Sequence, residues 1–319
     1  MTRLASFKWL AIATIAAAGL AASPASAQNY PNQRVTIVVP FGAGSVTDIL
    51  ARIFAEDMGR RWGQQVIVEN RPGLAGTAAV AKAAPDGYTL MVTSNGHTVA
   101  NLVSKDAPFD PVKDFSGITR LGSVPLFLIT HPDVPAKTVK EVIDLAKAQP
   151  GKLNFSSAGL ASTTFLAGAQ FRRAAGVNIT HVPYRSAPDA VTAVIRGDAQ
   201  IYFVPVNLAK QQSESGKVRA IAAATAQRIP DLPDVPTFTE AGLPFVYDSW
   251  FGLLAPAGTP KAITEKISRD WGEALKTPEM KAKLDAQVTI GQSDTPAAFD
   301  EIIRKETESH TQAFKEAGN

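Results

Sequence analysis

The 319-residue sequence contains no cysteine, so neither a disulfide nor a thiolate-bound metal can hold the chain together, and its stability must come from its core. Histidine is scarce as well: there are four, at positions 97, 131, 181 and 310, and none is spaced as a metal-binding pair. Neither sign of charge dominates. Lys and Arg number 32 against 29 Asp and Glu, scattered without the basic stripe that a nucleic-acid surface requires. Beyond residue 27 no apolar run approaches the roughly 20 residues of a bilayer-spanning helix. There is no Gly-x-Ser-x-Gly elbow, no Walker lysine motif and no His-Glu-x-x-His. Nucleic-acid binding, permanent membrane insertion and the commonest hydrolase and metalloprotease chemistries are therefore disfavoured from the outset.

What is present begins with a leader. Arg3 and Lys8 precede an apolar stretch from Trp9 to Ala22, and Ala25-Ser26-Ala27 closes it. This is the three-part plan of a secretory signal peptide, and a mature protein starting at Gln28 in the periplasm is expected. The leader carries two bases and no acid, so a formal charge of +3 for the whole chain becomes +1 for the remainder. The remaining chain, with 45% hydrophobic and 19% charged residues overall, is long enough for two domains of about 100 to 150 residues each.

Short β-branched runs alternate with helical patterns from the first mature residues. Strands are predicted over 34–39, 65–69 and 88–93, with helices over 45–62 and 77–83 between them; this is the βαβ signature of a parallel sheet. After the apolar run at 126–131 a second series starts, with strands over 152–156, 178–182, 199–204 and 217–223. Helices are predicted over 138–148, 163–175 and 187–196, and a short one to 214. A proline-rich loop then leads to a further apolar run at 249–255. The rest is read as helical apart from a short strand near 288–290, with too few strands for a third domain. The expected fold is α/β, two doubly wound domains joined by a two-strand hinge: 28–128 together with 249–319 as one, 129–248 as the other, and a cleft between them.

In such a fold the ligand site lies beyond the carboxyl ends of the strands, where helix N-termini face the crevice. Three junctions carry suitable chemistry. The first joins strand to helix through Phe41, Gly42, Gly44, Ser45, Thr47 and Asp48: glycines permit a tight turn and close backbone approach, hydroxyls donate, and the helix start offers unpaired N–H groups. The second is Thr93-Ser94-Asn95-Gly96-His97, where His97 fits a hydrogen-bonding role better than a metal ligand. The third, in the other half, contains Ser156, Ser157, Gly159, Ser162 and Thr163. A ligand with two acceptor groups could bridge the halves. Enzymatic readings fit less well. Gly42-x-Gly44-x-x-Thr47 with Glu69 is a dinucleotide fingerprint lacking its third glycine, which keeps a nucleotide-dependent oxidoreductase only as a distant alternative. Ser156 or Ser157 with His181 would be a hydrolase pair without an orienting acid. No cofactor and no metal are expected.

Several segments carry a family resemblance: Val39-Pro-Phe-Gly-Ala-Gly-Ser-Val-Thr-Asp-Ile-Leu-Ala-Arg52, Val68-Glu-Asn-Arg-Pro-Gly73, Ala83-Ala-Pro-Asp-Gly-Tyr-Thr-Leu90, His181-Val-Pro-Tyr184, Leu232-Pro-Asp-Val-Pro-Thr237, Glu240-Ala-Gly-Leu-Pro244 and Trp250-Phe-Gly-Leu-Leu-Ala-Pro-Ala-Gly-Thr-Pro260. In this order the chain resembles the extracytoplasmic solute receptors of the tripartite tricarboxylate transporter group, also called Bordetella uptake gene receptors. The resemblance implies a periplasmic-binding-protein fold of the type II kind, a monomer, that traps one small organic acid without catalysis and delivers it to membrane transporter subunits. A receptor feeding a sensor system would share this fold. It also implies that the first loop and the second-domain loop hold the ligand, with Tyr184 and the loop from Thr93 to His97 lining the rest. Asp48 is an odd neighbour for an anion and could instead cap its helix or pair with Arg52. Members that take amino acids often carry an acid where this chain has Val204, so the resemblance implies a non-amino carboxylate, a dicarboxylate or an aromatic acid.

Overall fold

The computed structural model describes residues 29–104, 106–160 and 162–316, with side chains as far as 312; the expected signal peptide over 1–27 lies outside them. The first strand, β1 (Val35–Val39), is β-branched at every position and buried at four of five, as a central strand covered on both faces requires. It runs parallel to β2 (Val66–Asn70) and to β3 (Thr89–Ser94). The helices Val46–Trp62 and Leu74–Ala81 make the two crossovers.

The same arrangement recurs in the second half. There β6 (Asn154–Ser157) lies between β7 (Thr180–Pro183) and β8 (Ile201–Pro205), parallel to both, with the helices Thr163–Ala175 and Ala187–Arg196 as crossovers. Both sheets are then completed by a strand running the other way. In the first sheet β10 (Trp250–Pro256) pairs antiparallel with β3 and with β4 (Phe115–Ser123), and β11 (Ile290–Gly291) closes the edge. In the second sheet β5 (Leu126–Thr130) pairs antiparallel with β8 and with β9 (Arg219–Ala223). The architecture is α/β with two sheets flanked by helices, but each sheet is mixed, because its completing strand arrives from the opposite half of the chain.

The chain passes between sheets at two places that are joined to each other. β4 leads through Val124-Pro125 into β5, and Asp248-Ser249 leads into β10; Val124 N–H donates to the Ser249 carbonyl at 3.1 Å, and Val206 N–H to the Pro125 carbonyl at 3.1 Å. The apolar runs read as hinge strands therefore each belong to one sheet, and the crossings are the two residues ahead of each.

The nine-residue strand β4 is absent from the sequence-based expectation. Its Gly117 and Gly122 are each a point of close approach. A Cβ at 117 would lie 2.9 Å from Asp300 Oδ1 and 3.0 Å from Phe299 Cδ1, and one at 122 would lie 2.7 Å from Thr289 Cγ2. The C-terminal helix Pro296–Glu316 packs across this strand, with Gly117 N–H donating to Asp300 Oδ1 at 2.6 Å. Beneath the helices, Trp250, Trp271, Phe54, Phe127 and Phe203 are fully buried, and one continuous apolar cluster includes Phe41 and Leu50 of the first half with Ala187 and Val204 of the second.

Candidate functional site

Three helices begin at the interface of the two halves, and each is capped by a serine. Ser45 is extended (φ −70°, ψ 157°) and its Oγ accepts the Asp48 N–H at 3.2 Å. Ser162 Oγ accepts the Phe165 N–H at 3.1 Å. Ser186 Oγ accepts the Asp189 N–H at 3.2 Å while donating to that residue's carboxylate at 2.9 Å. Capping satisfies one N–H per helix; the first-turn amides of Val46, Thr47, Thr164 and Ala187 have no i−4 acceptor within their helices.

The glycine loop ahead of the first helix is held from behind. Gly44 has φ +77°, the left-handed region where a side chain is strained. Its N–H donates to Asp48 Oδ2 at 3.0 Å. The same carboxylate receives Arg52 Nε at 3.1 Å and Asn70 Nδ2 at 2.9 Å, and Asn70 also donates to the Phe41 carbonyl at 3.1 Å. Burial pushes the Asp48 carboxyl up, but the bonds from Arg52, Gly44 and Asn70 outweigh it and hold it below the usual range. Asp48 is thus the brace of the loop.

The halves meet closely over this loop. Gly42 N–H donates to the Arg185 carbonyl at 3.3 Å, and a Cβ at position 42 would lie 3.0 Å from Ser186 Cβ. Thr163 N–H donates to Ser94 Oγ at 3.2 Å, a second bond between halves. Between them lies a cavity of about 20 Å³, enough for about one water-sized group. The first half lines it with Phe41, Ser45, Val46, Thr47, Ser94 and Phe251; the second with Ala158, Ser162, Thr163, Thr164, Ala187 and Pro205. None of these side chains is charged. The surface the cavity exposes is apolar, because Ser94 Oγ receives the Thr163 N–H and Thr163 Oγ1 donates to the Tyr247 hydroxyl, while the three helix N-termini that end beside it are positive, each worth about 0.3 to 2 kcal/mol to an anion according to burial.

Of the residues singled out in the sequence, Phe41, Ser45, Thr47, Ser94, Ser162 and Thr163 line this cavity. Gly42 and Gly44 lie in the loop between Phe41 and Ser45, outside the lining itself. The others stand behind it or apart from it. Thr93 is buried in β3, opposite Gly252 of β10. Asn95 Nδ2 donates to the Tyr247 hydroxyl at 2.8 Å and to the Asp248 carbonyl at 3.0 Å. His97 faces the other way: Nε2 lies 2.9 Å from the Pro111 carbonyl, the ring packs on Phe109 and Phe115, and burial pushes its pKa down to about 4. It is a neutral core histidine.

In the second half, Ser156 Oγ donates to the Ala190 carbonyl at 3.1 Å. Ser157 Oγ is 2.6 Å from His181 Nε2, so the imagined hydrolase pair does form a hydrogen bond. Burial, reinforced by Arg172, pushes the His181 pKa down to about 4, the ring packs against Phe155 and Phe165, and no carboxylate among the described residues hydrogen-bonds its other nitrogen. The Ser157 hydroxyl also accepts from Gly159 N–H at 3.1 Å, which fixes the turn. Gly159 has φ +107° and stands over the Tyr184 carbonyl; Tyr184 is half-buried, its N–H donating to Ser157. Val204 is buried in β8, opposite Phe127.

The sequence reading missed the third helix start and the wall residues Ala158, Pro205 and Phe251. Ser186-Ala-Pro-Asp189 did carry a signal: a hydroxyl three residues before an acid, with proline in the first turn. Phe251 and Tyr247 carried none, because they reach the site only through the second crossing.

Comparison with known proteins bears on this geometry. The description "Tripartite tricarboxylate transporter family receptor" matches residues 50–307. Protein BugT of Bordetella pertussis is 34% identical over 326 aligned positions, covering 100% of this chain and 98% of its own. The R. palustris protein Rpa4515, solved with adipate, superposes with a TM-score of 0.82 at 31% identity, covering 91% of this chain and 98% of that one. MatC from Rhodopseudomonas palustris, solved with bound malate, gives a TM-score of 0.82 at 31% identity, covering 89% of this chain and 100% of that one.

Proposed function

Since the chain belongs to the tripartite tricarboxylate transporter receptor family, we propose that it captures a small non-amino carboxylate between its two halves and delivers it to a membrane transporter. The observation that carries this reading is the convergence of three serine-capped helix starts, from both halves, on one cavity with no charged side chain. A dicarboxylate suits these helix starts best, once the halves part to admit it, since the cavity as it stands holds about one water-sized group. One carboxylate is received by the Val46 and Thr47 amides with the Ser45 and Thr47 hydroxyls; the other is received by the Thr164 and Ala187 amides with the Ser162 hydroxyl. Charge-assisted hydrogen bonds contribute about 1.5 to 3 kcal/mol each, so four or five support an affinity near about −8 kcal/mol, or micromolar, after ordering costs.

The absence of an acid among the lining side chains argues against an amino acid ligand, because an ammonium group would be desolvated without a counter-charge. The nearest acid in the loop, Asp48, is already committed to Arg52, Asn70 and Gly44. Adipate and malate, present in the two related structures, are both non-amino dicarboxylates. The chain acts as a periplasmic monomer after removal of residues 1–27, with lobes divided at the two crossings, and closes over its ligand as a receptor rather than an enzyme. Among the described residues no helix is long and apolar enough to cross a membrane, which is compatible with that placement.

Calorimetry of the mature chain against adipate, malate, benzoate, aspartate and glutamate tests the reading. A dicarboxylate or aromatic acid is expected to bind in the micromolar range. Tighter binding of aspartate or glutamate than of malate would refute the non-amino assignment, and no binding of any acid would refute the receptor reading.

A further inference from the structure

Behind the cavity lies a group of hydrogen bonds that the recognition of a carboxylate does not require. Tyr247 belongs to the segment entering the second crossing, two residues from Ser249, and is 6% exposed. Its phenol oxygen receives Asn95 Nδ2 at 2.8 Å from the end of β3, and Thr163 Oγ1 at 3.2 Å from the first residue of the helix Thr163–Ala175. Asn95 Nδ2 is shared with the Asp248 carbonyl at 3.0 Å. The neighbouring Ser94 accepts the Thr163 N–H at 3.2 Å. Three pieces of chain, from the first sheet, the crossing and the second half, therefore close a ring of hydrogen bonds around Thr163, whose side chain lines the cavity.

We propose that Tyr247 is a positioning residue for the ligand site, latching the start of the helix Thr163–Ala175 onto the first half when the cleft is closed. Thr163 spends its N–H on Ser94 and its hydroxyl on Tyr247, which fixes the rotation of the helix start and leaves the Thr164 N–H directed by that rotation. Separation of the halves must break the bond from Thr163 to Ser94. The phenol, anchored at the crossing by its ring in the apolar cluster of the second half and by Asn95 of the first, re-forms the ring on closure. Tyr247 needs no contact with the ligand to do this. Burial pushes the phenol's pKa up, so it keeps its proton at working pH.

This inference rests on the carboxylate-receptor reading for its affinity readout but has a second readout that does not. Tyr247→Phe removes the hydroxyl and keeps the ring. With adipate and malate as probes, it is expected to weaken binding roughly three- to tenfold, about the worth of one neutral hydrogen bond, with most of the change in the dissociation rate. Hydrogen exchange without added acid should accelerate in the segments holding Gly42 and Thr163, whose N–H groups bridge the halves, while β1 and β6 stay protected as in the wild type. In a double-mutant cycle, Thr163→Val should cost less affinity in the Tyr247→Phe background than in the wild type, whereas Thr163→Ser should retain coupling. Unchanged exchange at Gly42 and Thr163 overturns the proposal. So does faster exchange throughout the chain with a lowered melting temperature, which would make Tyr247 a packing residue. If the wild type binds neither adipate nor malate, the receptor reading fails on its own account, and the exchange comparison still decides the latch.

Discussion

Glu306, on the C-terminal helix, gives a quantitative test of how burial is arranged at the second crossing. Both of its carboxylate oxygens lie 3.0 Å from Nε1 of Trp250, a fully buried indole that opens β10. A single N–H does not compensate a desolvated charge. Arg120, the nearby base, is engaged by both oxygens of Asp294 at 2.7 and 2.9 Å, and Asp248 adds repulsion, so burial first and Asp248 second push the Glu306 pKa up to about 7. The ordinary value being 4.5, and each tenfold in proton affinity being about 1.4 kcal/mol, the ionised carboxylate costs the folded chain about 3 kcal/mol. Because the folded-state pKa is the higher one, the favourable contribution is complete below pH 4.5 and is lost as the pH rises through 7. Glu306→Gln keeps an acceptor for Trp250 and cannot ionise. Urea melts of wild type and variant at pH 5, 6, 7 and 8 should show near-equal stability at pH 5 and the variant ahead by about 2 to 3 kcal/mol at pH 8, equivalent to about 5 °C in a chain of this size. Taking the difference between the two proteins cancels the opposite trend of the buried His97 and His181. A difference independent of pH would refute the reasoning.

A Cβ at position 252 would lie 2.2 Å from Cζ of the buried Phe299, so Gly252→Ala should lower stability in urea by about 1 to 3 kcal/mol through overpacking between β10 and the C-terminal helix. Asp48→Ala removes the acceptor of the Gly44 N–H and should weaken malate or adipate binding by about tenfold, read by calorimetry, through a loop it braces from outside the cavity. Ser162→Ala removes a helix cap and should cost about 1 kcal/mol of stability in urea. Because this hydroxyl also lines the cavity, acid affinity should fall alongside it, and unaltered affinity would place the ligand elsewhere.

Local signals carried much of this structure. The helices Thr163–Ala175 and Ala187–Arg196 are legible because a serine precedes each and a glycine with positive φ, Gly176 or Gly197, ends each. The hydroxyl-rich turns at Ser45 and Ser162 are legible for the same reason, since a cap is a property of four adjacent residues. What could not be read depended on distant ones. β4 goes unassigned because its glycines answer to Phe299 and Thr289, far along the chain. The parallel character of the sheets was overestimated because strand direction in β5 and β10 is set by where the chain comes from, and periodicity does not encode that. His97 drew attention as a rare residue, yet Phe109 and Phe115, which make it part of the core, lie outside the segment that suggested a site.

The position of β10 has a consequence for how the protein is made. This strand sits between β3 and β4, yet it is synthesised after the whole of the second sheet. Until residue 256 is available, β3 and β4 each present an unpaired edge, the kind of edge that invites pairing with other chains. The first sheet therefore cannot finish before the second is complete. A nascent chain that has passed Ala223 but is short of that point holds the complete five-stranded second sheet, β7-β6-β8-β5-β9, beside an unfinished first one.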